Sequence, residues 1–244
     1  MSKPCAGVGQ SLYNHSVEVS IIAEKAFSKN EKVVQRKLNS LFVGKDINAK
    51  KIVKLASLLH DVGKAAYIYQ KFFDDNCDCK NPSFAFHEIP SACFAANFKY
   101  SICRMLGFNL EETILTGLVI LFHMHASRDF EDMTDFLKNK IKYKYWDLSP
   151  YKYTILQIIR QYDPNFDKDI DVLLKIDVQQ TINYVESYQK ILNDARNYLY
   201  KIYTLLLNPI VIGDNLSAKN RKQDESQNRN RSHFIKELEV MANE

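Results

Sequence analysis

The sequence predicts an all-α domain, a helical bundle with a metal site between its helices, and three observations carry that reading. Turn-forming residues are sparse, with 7 Gly and 6 Pro in 244 residues, whereas a many-stranded sandwich needs such punctuation every ten or so positions. Apolar residues recur at helical spacing in the segments between polar stretches. Of the 6 histidines, all but His233 fall on those apolar stripes or at their ends.

The elements follow in order. Ser11 to Phe27 carries Leu12, His15, Val19, Ile22 and Ala26 on one side, so His15 lies on or beside the inward stripe of a first helix. A polar, Lys-rich stretch follows. Ala49 to Asp61 forms a second helix with Ile52, Leu55, Ala56 and Leu59 inward, ended by Gly63, whose tolerance of positive φ suits a helix C-terminus. Further helices are predicted over Glu88 to Lys99, Glu111 to Phe122, Tyr151 to Tyr162 and Thr181 to Leu207. Pro209 breaks or kinks the last of these, and Ile210 to Ala218 resumes it, because Leu207, Val211, Asp214 and Ala218 keep helical spacing. Residues 1–218 read as one domain, and residues 219–244 as a polar linker with a short terminal helix that Ser232 can cap.

Composition excludes several classes. With 46% hydrophobic and 25% charged residues the chain is globular rather than disordered. The start of the chain lacks the basic and apolar runs of a secretory signal, and the apolar run Ile114 to Phe122 is too short to span a bilayer. The 5 cysteines are odd in number and irregularly spaced, a poor disulfide framework that suits a reducing compartment, so the expected location is cytoplasmic. Cys77 and Cys79 are read as loop thiols. Gly63-Lys64 and Gly44-Lys45 lack the remainder of a phosphate-binding loop, so neither ATP hydrolysis nor a nucleotide cofactor is expected.

The chemistry-bearing residues are His60 and Asp61, adjacent at a helix C-terminus where free carbonyls and the negative end of the dipole favour a cation. Lys64, beyond the glycine, can pair with a phosphate held against that cation. His15, His87, His123, His125 and Asp214 lie on or at the ends of other predicted helices. A single histidine on an apolar stripe is usually a hydrogen-bonded core residue. Five in one small domain would each need a buried partner, and a shared metal satisfies them jointly.

These residues resemble a known family. His60-Asp61-Val62-Gly63-Lys64, the earlier His15 and the distal Asp214 resemble the HD superfamily of metal-dependent phosphohydrolases. Phe86-His87-Glu88-Ile89-Pro90-Ser91-Ala92 and Ile212-Gly213-Asp214-Asn215-Leu216-Ser217 are similar to the CRISPR-associated HD nucleases, the nuclease part of the type I helicase-nuclease. The resemblance implies that His15, His60, Asp61 and Asp214 hold one metal, and that Asp61, His87 and a histidine pair hold a second. The family has adjacent histidines at that pair, whereas here Met124 separates His123 from His125. Either the helix unwinds there or one of the two ligates, and His123 is preferred because it continues the Val119 stripe. Lys64 and Ser217 would contact a substrate phosphate. The resemblance also implies a separate helicase chain and a type I surveillance complex as partners.

Two cations about 4 Å apart generate a nucleophile from water and stabilise both oxygens of an in-line phosphodiester displacement. Mixed His and carboxylate ligands suit Mn²⁺, Fe²⁺, Co²⁺ or Ni²⁺ better than Mg²⁺. Phe136 to Arg160 adds Lys138, Lys140, Lys142, Lys144, Lys152 and Arg160 against Asp147 alone, interleaved with Tyr143, Tyr145, Trp146, Tyr151 and Tyr153. Cations that track phosphates and rings that stack on bases predict a single-strand surface, with Lys142, Lys144, Tyr145 and Trp146 as contacts. The reading is therefore a metal-dependent nuclease of single-stranded DNA, with RNA as a further substrate, in CRISPR defence. Two other functions fit the residues: a phosphohydrolase of free nucleotides or cyclic dinucleotides, and a non-catalytic nucleic-acid-binding module.

Overall fold

The computed structural model describes residues 3–80, 82–124, 129–194 and 198–219. Eleven helices among them run α1 (Leu12–Ser28), α2 (Glu31–Leu41), α3 (Ala49–Leu59), α4 (Tyr67–Gln70), α5 (Glu88–Ala96), α6 (Ile102–Met105), α7 (Leu110–Leu121), α8 (Phe130–Asp135), α9 (Lys152–Tyr162), α10 (Val178–Asp194) and α11 (Tyr198–Lys219). Helix α1 packs along α11 and α3, α3 continues the layer to α7 and α9, and α5 lies across α7. The predicted linker and terminal helix, residues 220–244, lie outside the described residues.

Local sequence explains where the main helices begin. The Ser11 side chain accepts from Asn14 N, and the Asn48 side chain accepts from Lys51 N, each satisfying a donor that the first turn leaves open. Helix α7 starts with a reciprocal capping box between Asn109 and Glu112. Glu112 Oε1 also accepts from Asn48 N at 3.0 Å, which ties the start of α7 to the start of α3. The predicted inward face of α3, Ile52, Leu55, Ala56 and Leu59, is fully buried.

Several expectations are corrected. The polar stretch after α1 contains α2, held by only Val34 and Leu38 on its buried side. Pro209 does not interrupt α11, which runs through it as one helix. Two short antiparallel ribbons also form: β1 (Cys5–Gly7) with β2 (Gln10–Ser11), and β3 (Tyr145–Asp147) with β4 (Lys175–Asp177). Cys77 is not a free thiol but is bonded to Cys5 across 72 residues, while Cys79 remains free. This disulfide removes the cysteine pattern as support for a reducing compartment. Among the described residues, no helix is long and apolar enough to cross a membrane.

The disulfide ties the N-terminal ribbon to the loop after α4, and Gln70 ties it to the turn that follows α3. Gln70 accepts from Cys5 N and donates to both Cys5 O and Lys64 O. By chain-entropy reasoning, closing so long a loop stabilises the fold by about 4 kcal/mol. Cys77→Ser is expected to lose most of that amount in denaturant unfolding under non-reducing conditions, and added reductant is expected to bring the wild type down to the variant.

Gly63 serves a purpose other than the predicted one. It sits in the 3-10 turn Val62–Ala65 and is not among the positive-φ glycines. A Cβ there would lie 2.2 Å from the backbone O of His87 and 2.8 Å from Pro90 Cγ, so glycine is needed for close approach to the start of α5. Gly213 plays the same part between α11 and α1, where a Cβ would stand 2.7 Å from Val19 O. Gly63→Ala is expected to cost about 1–3 kcal/mol by overpacking. Because relief requires α5 to move away, Mn²⁺ affinity should fall together with the melting temperature.

Candidate metal centre

Five elements deliver the predicted donors to one buried point. His15 stands in the first part of α1, His60 caps the end of α3, Asp61 follows it, His87 precedes α5, His123 lies just beyond α7, and Asp214 is near the end of α11. His15, His60 and Asp61 are inaccessible, His87 and His123 nearly so, and the Asp214 side chain is 20% exposed. His125 lies outside the described residues.

Asp61 joins two donor clusters, one on each carboxylate oxygen. Its Oδ2 is 3.0 Å from His15 Nε2 and 3.6 Å from His60 Nε2. Asp214 Oδ1 faces the same two nitrogens at 3.2 and 3.8 Å. Asp61 Oδ1, on the other side, is 2.7 Å from His87 Nε2 and 3.5 Å from His123 Nε2. Donor atoms within each cluster lie within 4.8 Å of one another, close enough to hold an ion.

The protons on the imidazoles are placed by their outer partners. His60 Nδ1 donates to Ser57 O at 2.8 Å, His87 Nδ1 to Phe84 O at 2.7 Å and His123 Nδ1 to Ile120 O at 2.7 Å. A carbonyl only accepts, so each neutral ring carries its proton on Nδ1 and turns a bare Nε2 inward. Burial, then the nearby Lys64 cation, push the His87 pKa down against the opposing pull of Asp61, which keeps that ring neutral. His87 Nε2 and His123 Nε2 therefore meet at 3.2 Å as two lone pairs. Inside the other cluster, His60 Nε2 is buried without a hydrogen-bond partner. Facing lone pairs and an orphaned buried nitrogen are costly without a cation between them, and the donor set fits divalent metal.

Both carboxylates stay ionised. Burial raises the Asp61 pKa, but the Lys64 cation against it, foremost, holds it well below the ordinary carboxylate range. Burial likewise raises the Asp214 pKa, yet beside His15 and His60 it too lies well below the ordinary carboxylate range.

The predicted phosphate contacts are placed differently. Lys64 Nζ donates to Asp61 Oδ2 at 2.6 Å and Ala6 O at 3.4 Å, and it sits over the Phe84 ring, so it faces the carboxylate rather than solvent. Ser217 is fully buried and its hydroxyl is taken up by His15, Glu18 and Gln10, which closes it to substrate. Trp146 is fully buried, which rules it out as an exposed stacking platform, whereas Tyr145 is 41% exposed beside Lys144. The excess charge of this segment is also smaller than the sequence suggested. Lys138 pairs with Glu186, Lys140 with Asp135, and Lys152 with Asp169 and Asp171. Lys142 and Lys144 remain exposed. Glu18 and Gln10 escaped notice in the sequence, and the available signal was that Glu18 stands one turn after His15 on α1.

The helical fold and the paired clusters are those of an HD-type metal-dependent hydrolase, and the sequence profile of the HD domain matches residues 12–132. At 32% identity over 227 residues, covering 89% of each chain, the sequence is similar to the CRISPR-associated endonuclease Cas3-HD of Saccharolobus solfataricus. The chain belongs to this Cas3-HD family of HD-domain proteins. The CRISPR-associated Cas3 HD domain protein of Methanocaldococcus jannaschii shares the fold, with a TM-score of 0.60 at 20% identity, over 86% of this chain and 100% of that one.

Because Asp61 belongs to both clusters, Asp61→Ala is expected to weaken Mn²⁺ binding at both by more than about 100-fold, read by calorimetry. His87→Ala touches one cluster and should leave a single ion bound at near wild-type affinity.

Proposed function

We propose that the chain is a divalent-metal-dependent nuclease that hydrolyses phosphodiester bonds of single-stranded DNA, and RNA as well, in CRISPR defence. The observation that carries the reading is the division of Asp61 between two donor clusters, which suits a pair of ions held side by side. His15, His60, Asp61 and Asp214 would hold the first ion, and Asp61, His87 and His123 the second. The name of the Saccharolobus solfataricus relative, an endonuclease, favours a polynucleotide substrate over a free nucleotide.

When bound, two such ions activate water and stabilise the attacking and leaving oxygens of the phosphodiester. The residues of the chain prepare for this. The three carbonyl-bonded histidines keep their Nε2 lone pairs aimed at the centre, and Lys64 offsets the buried charge of Asp61. Mn²⁺, Fe²⁺, Co²⁺ and Ni²⁺ suit the imidazole-rich set better than Mg²⁺. Exposed Lys142, Lys144 and Tyr145 are the proposed strand contacts. A separate helicase chain and the type I surveillance complex are the proposed partners, in the cytoplasm.

The test is a labelled single-stranded oligonucleotide incubated with the protein and Mn²⁺, beside free nucleotides and cyclic dinucleotides. Cleavage of the oligonucleotide, abolished by Asp61→Ala, is the expected result. Turnover of free nucleotides with an intact oligonucleotide would favour nucleotide phosphohydrolase activity. Strand binding that survives Asp61→Ala with no turnover of any substrate would favour a binding module.

A further inference from the structure

We propose that Glu18, Ser217 and Gln10 form a positioning relay that fixes His15 as a ligand for one of two ions and leaves the other ion untouched. The inference rests on the metal reading of the site.

His15 is the exception among the inward histidines. The other three use the backbone carbonyl three residues earlier to hold Nδ1–H. His15 lies inside α1, where the preceding carbonyls belong to the helix ladder. It uses a side chain instead, with Nδ1 at 2.9 Å from Ser217 Oγ.

The direction of each bond in the relay is fixed by chemistry. Ser217 Oγ is 2.7 Å from Glu18 Oε2, and a carboxylate only accepts, so the single hydroxyl proton goes to Glu18. Gln10 Nε2 donates to Ser217 Oγ at 3.1 Å and to Glu18 Oε2 at 3.3 Å. The remaining lone pair of Oγ is left to accept from His15 Nδ1–H. The ring is thereby held with its bare Nε2 toward Asp61 Oδ2 and Asp214 Oδ1.

The relay also joins the two helices that supply this cluster. Glu18 follows His15 by one turn on α1, and Ser217 follows Asp214 by one turn on α11. A carboxylate acting through a hydroxyl on the outer nitrogen makes the inner nitrogen a better donor, as outer partners of ligating histidines do. The hydrogen bonds of the relay run to His15, the ligand of the first cluster, so their effect should be confined to the first ion.

The experiment titrates Mn²⁺ alone into the full chain, counting ions and affinities by calorimetry and by electron paramagnetic resonance of free Mn²⁺. Wild type is expected to bind two ions. Ser217→Ala should weaken one of them by about 10–100-fold and leave the other unchanged, and Ser217→Thr should restore much of the loss. Glu18→Gln, a milder change at a half-buried position, should weaken the same ion by less, and it carries the test if Ser217→Ala does not fold. In a His15→Ala background, Ser217→Ala should bring no further loss at the remaining ion. Equal weakening of both ions, as a general loss of structure would give, overturns the relay, and so does unchanged affinity in Ser217→Ala. A wild-type chain that binds no Mn²⁺ overturns both the relay and the metal reading.

Discussion

The structure depends on one buried carboxylate that faces bare nitrogens on both sides. Ionised Asp61 is shut off from bulk solvent, and removing a charge from water without compensation is costly. Lys64 supplies one full positive charge, while neutral imidazoles supply only oriented dipoles, and their inward lone pairs repel the oxygens they meet. The arrangement is stable as a cation site and poor as an ordinary core. Much of the surrounding architecture serves the same constraint: the ribbon tied down by Cys5–Cys77, the Gln70 clamp on Lys64 O, and the glycine contacts that let elements close on Asp61 and Asp214.

Helix ends suit this purpose for a reason beyond the dipole. Carbonyls in the last turn of a helix have no amide four residues on to bond with. Ser57 O near the end of α3 and Ile120 O near the end of α7 are thus free to take the Nδ1 protons of His60 and His123. The same backbone groups that would otherwise need a cap set the tautomer of the ligand. His15, inside a helix, has no such carbonyl and depends on Ser217 from a different helix. One site therefore contains two kinds of histidine, three set by local backbone and one set by tertiary contact.

That distinction also separates what could be read in the sequence from what could not. Capped, amphipathic helices such as α1, α3 and α7 are legible because their signals are local: Ser11, Asn48 and Asn109 before an apolar stripe. His60-Asp61 was legible as a pair for the same reason. Helix α2 was not, because only Val34 and Leu38 turn inward from a polar run. Gly63 reads from sequence as a helix terminator because glycine tolerates positive φ, whereas the demand at this position is the nearness of His87 O. The Cys5–Cys77 bond, the burial of Trp146 and the acids opposite Lys138 and Lys152 are all contacts between distant segments, which no local pattern encodes.

Charge sets an order on the proposed reaction. Asp61 and Asp214 are ionised and Lys64 offsets one of them, so the carboxylates at the centre outnumber the lysine cation beside them. An anionic phosphodiester approaching such a centre is repelled. Each divalent ion adds two positive charges, and a single one already reverses the sign. At short range in a medium of low dielectric that reversal decides whether phosphate is admitted. Asp214, the partly exposed member of the cluster, marks where the centre meets solvent. On the proposed reading, metal loading would then precede productive contact with a phosphodiester, and exposed cations such as Lys142 and Lys144 would act at the stage before, supplying charge that the unloaded centre lacks.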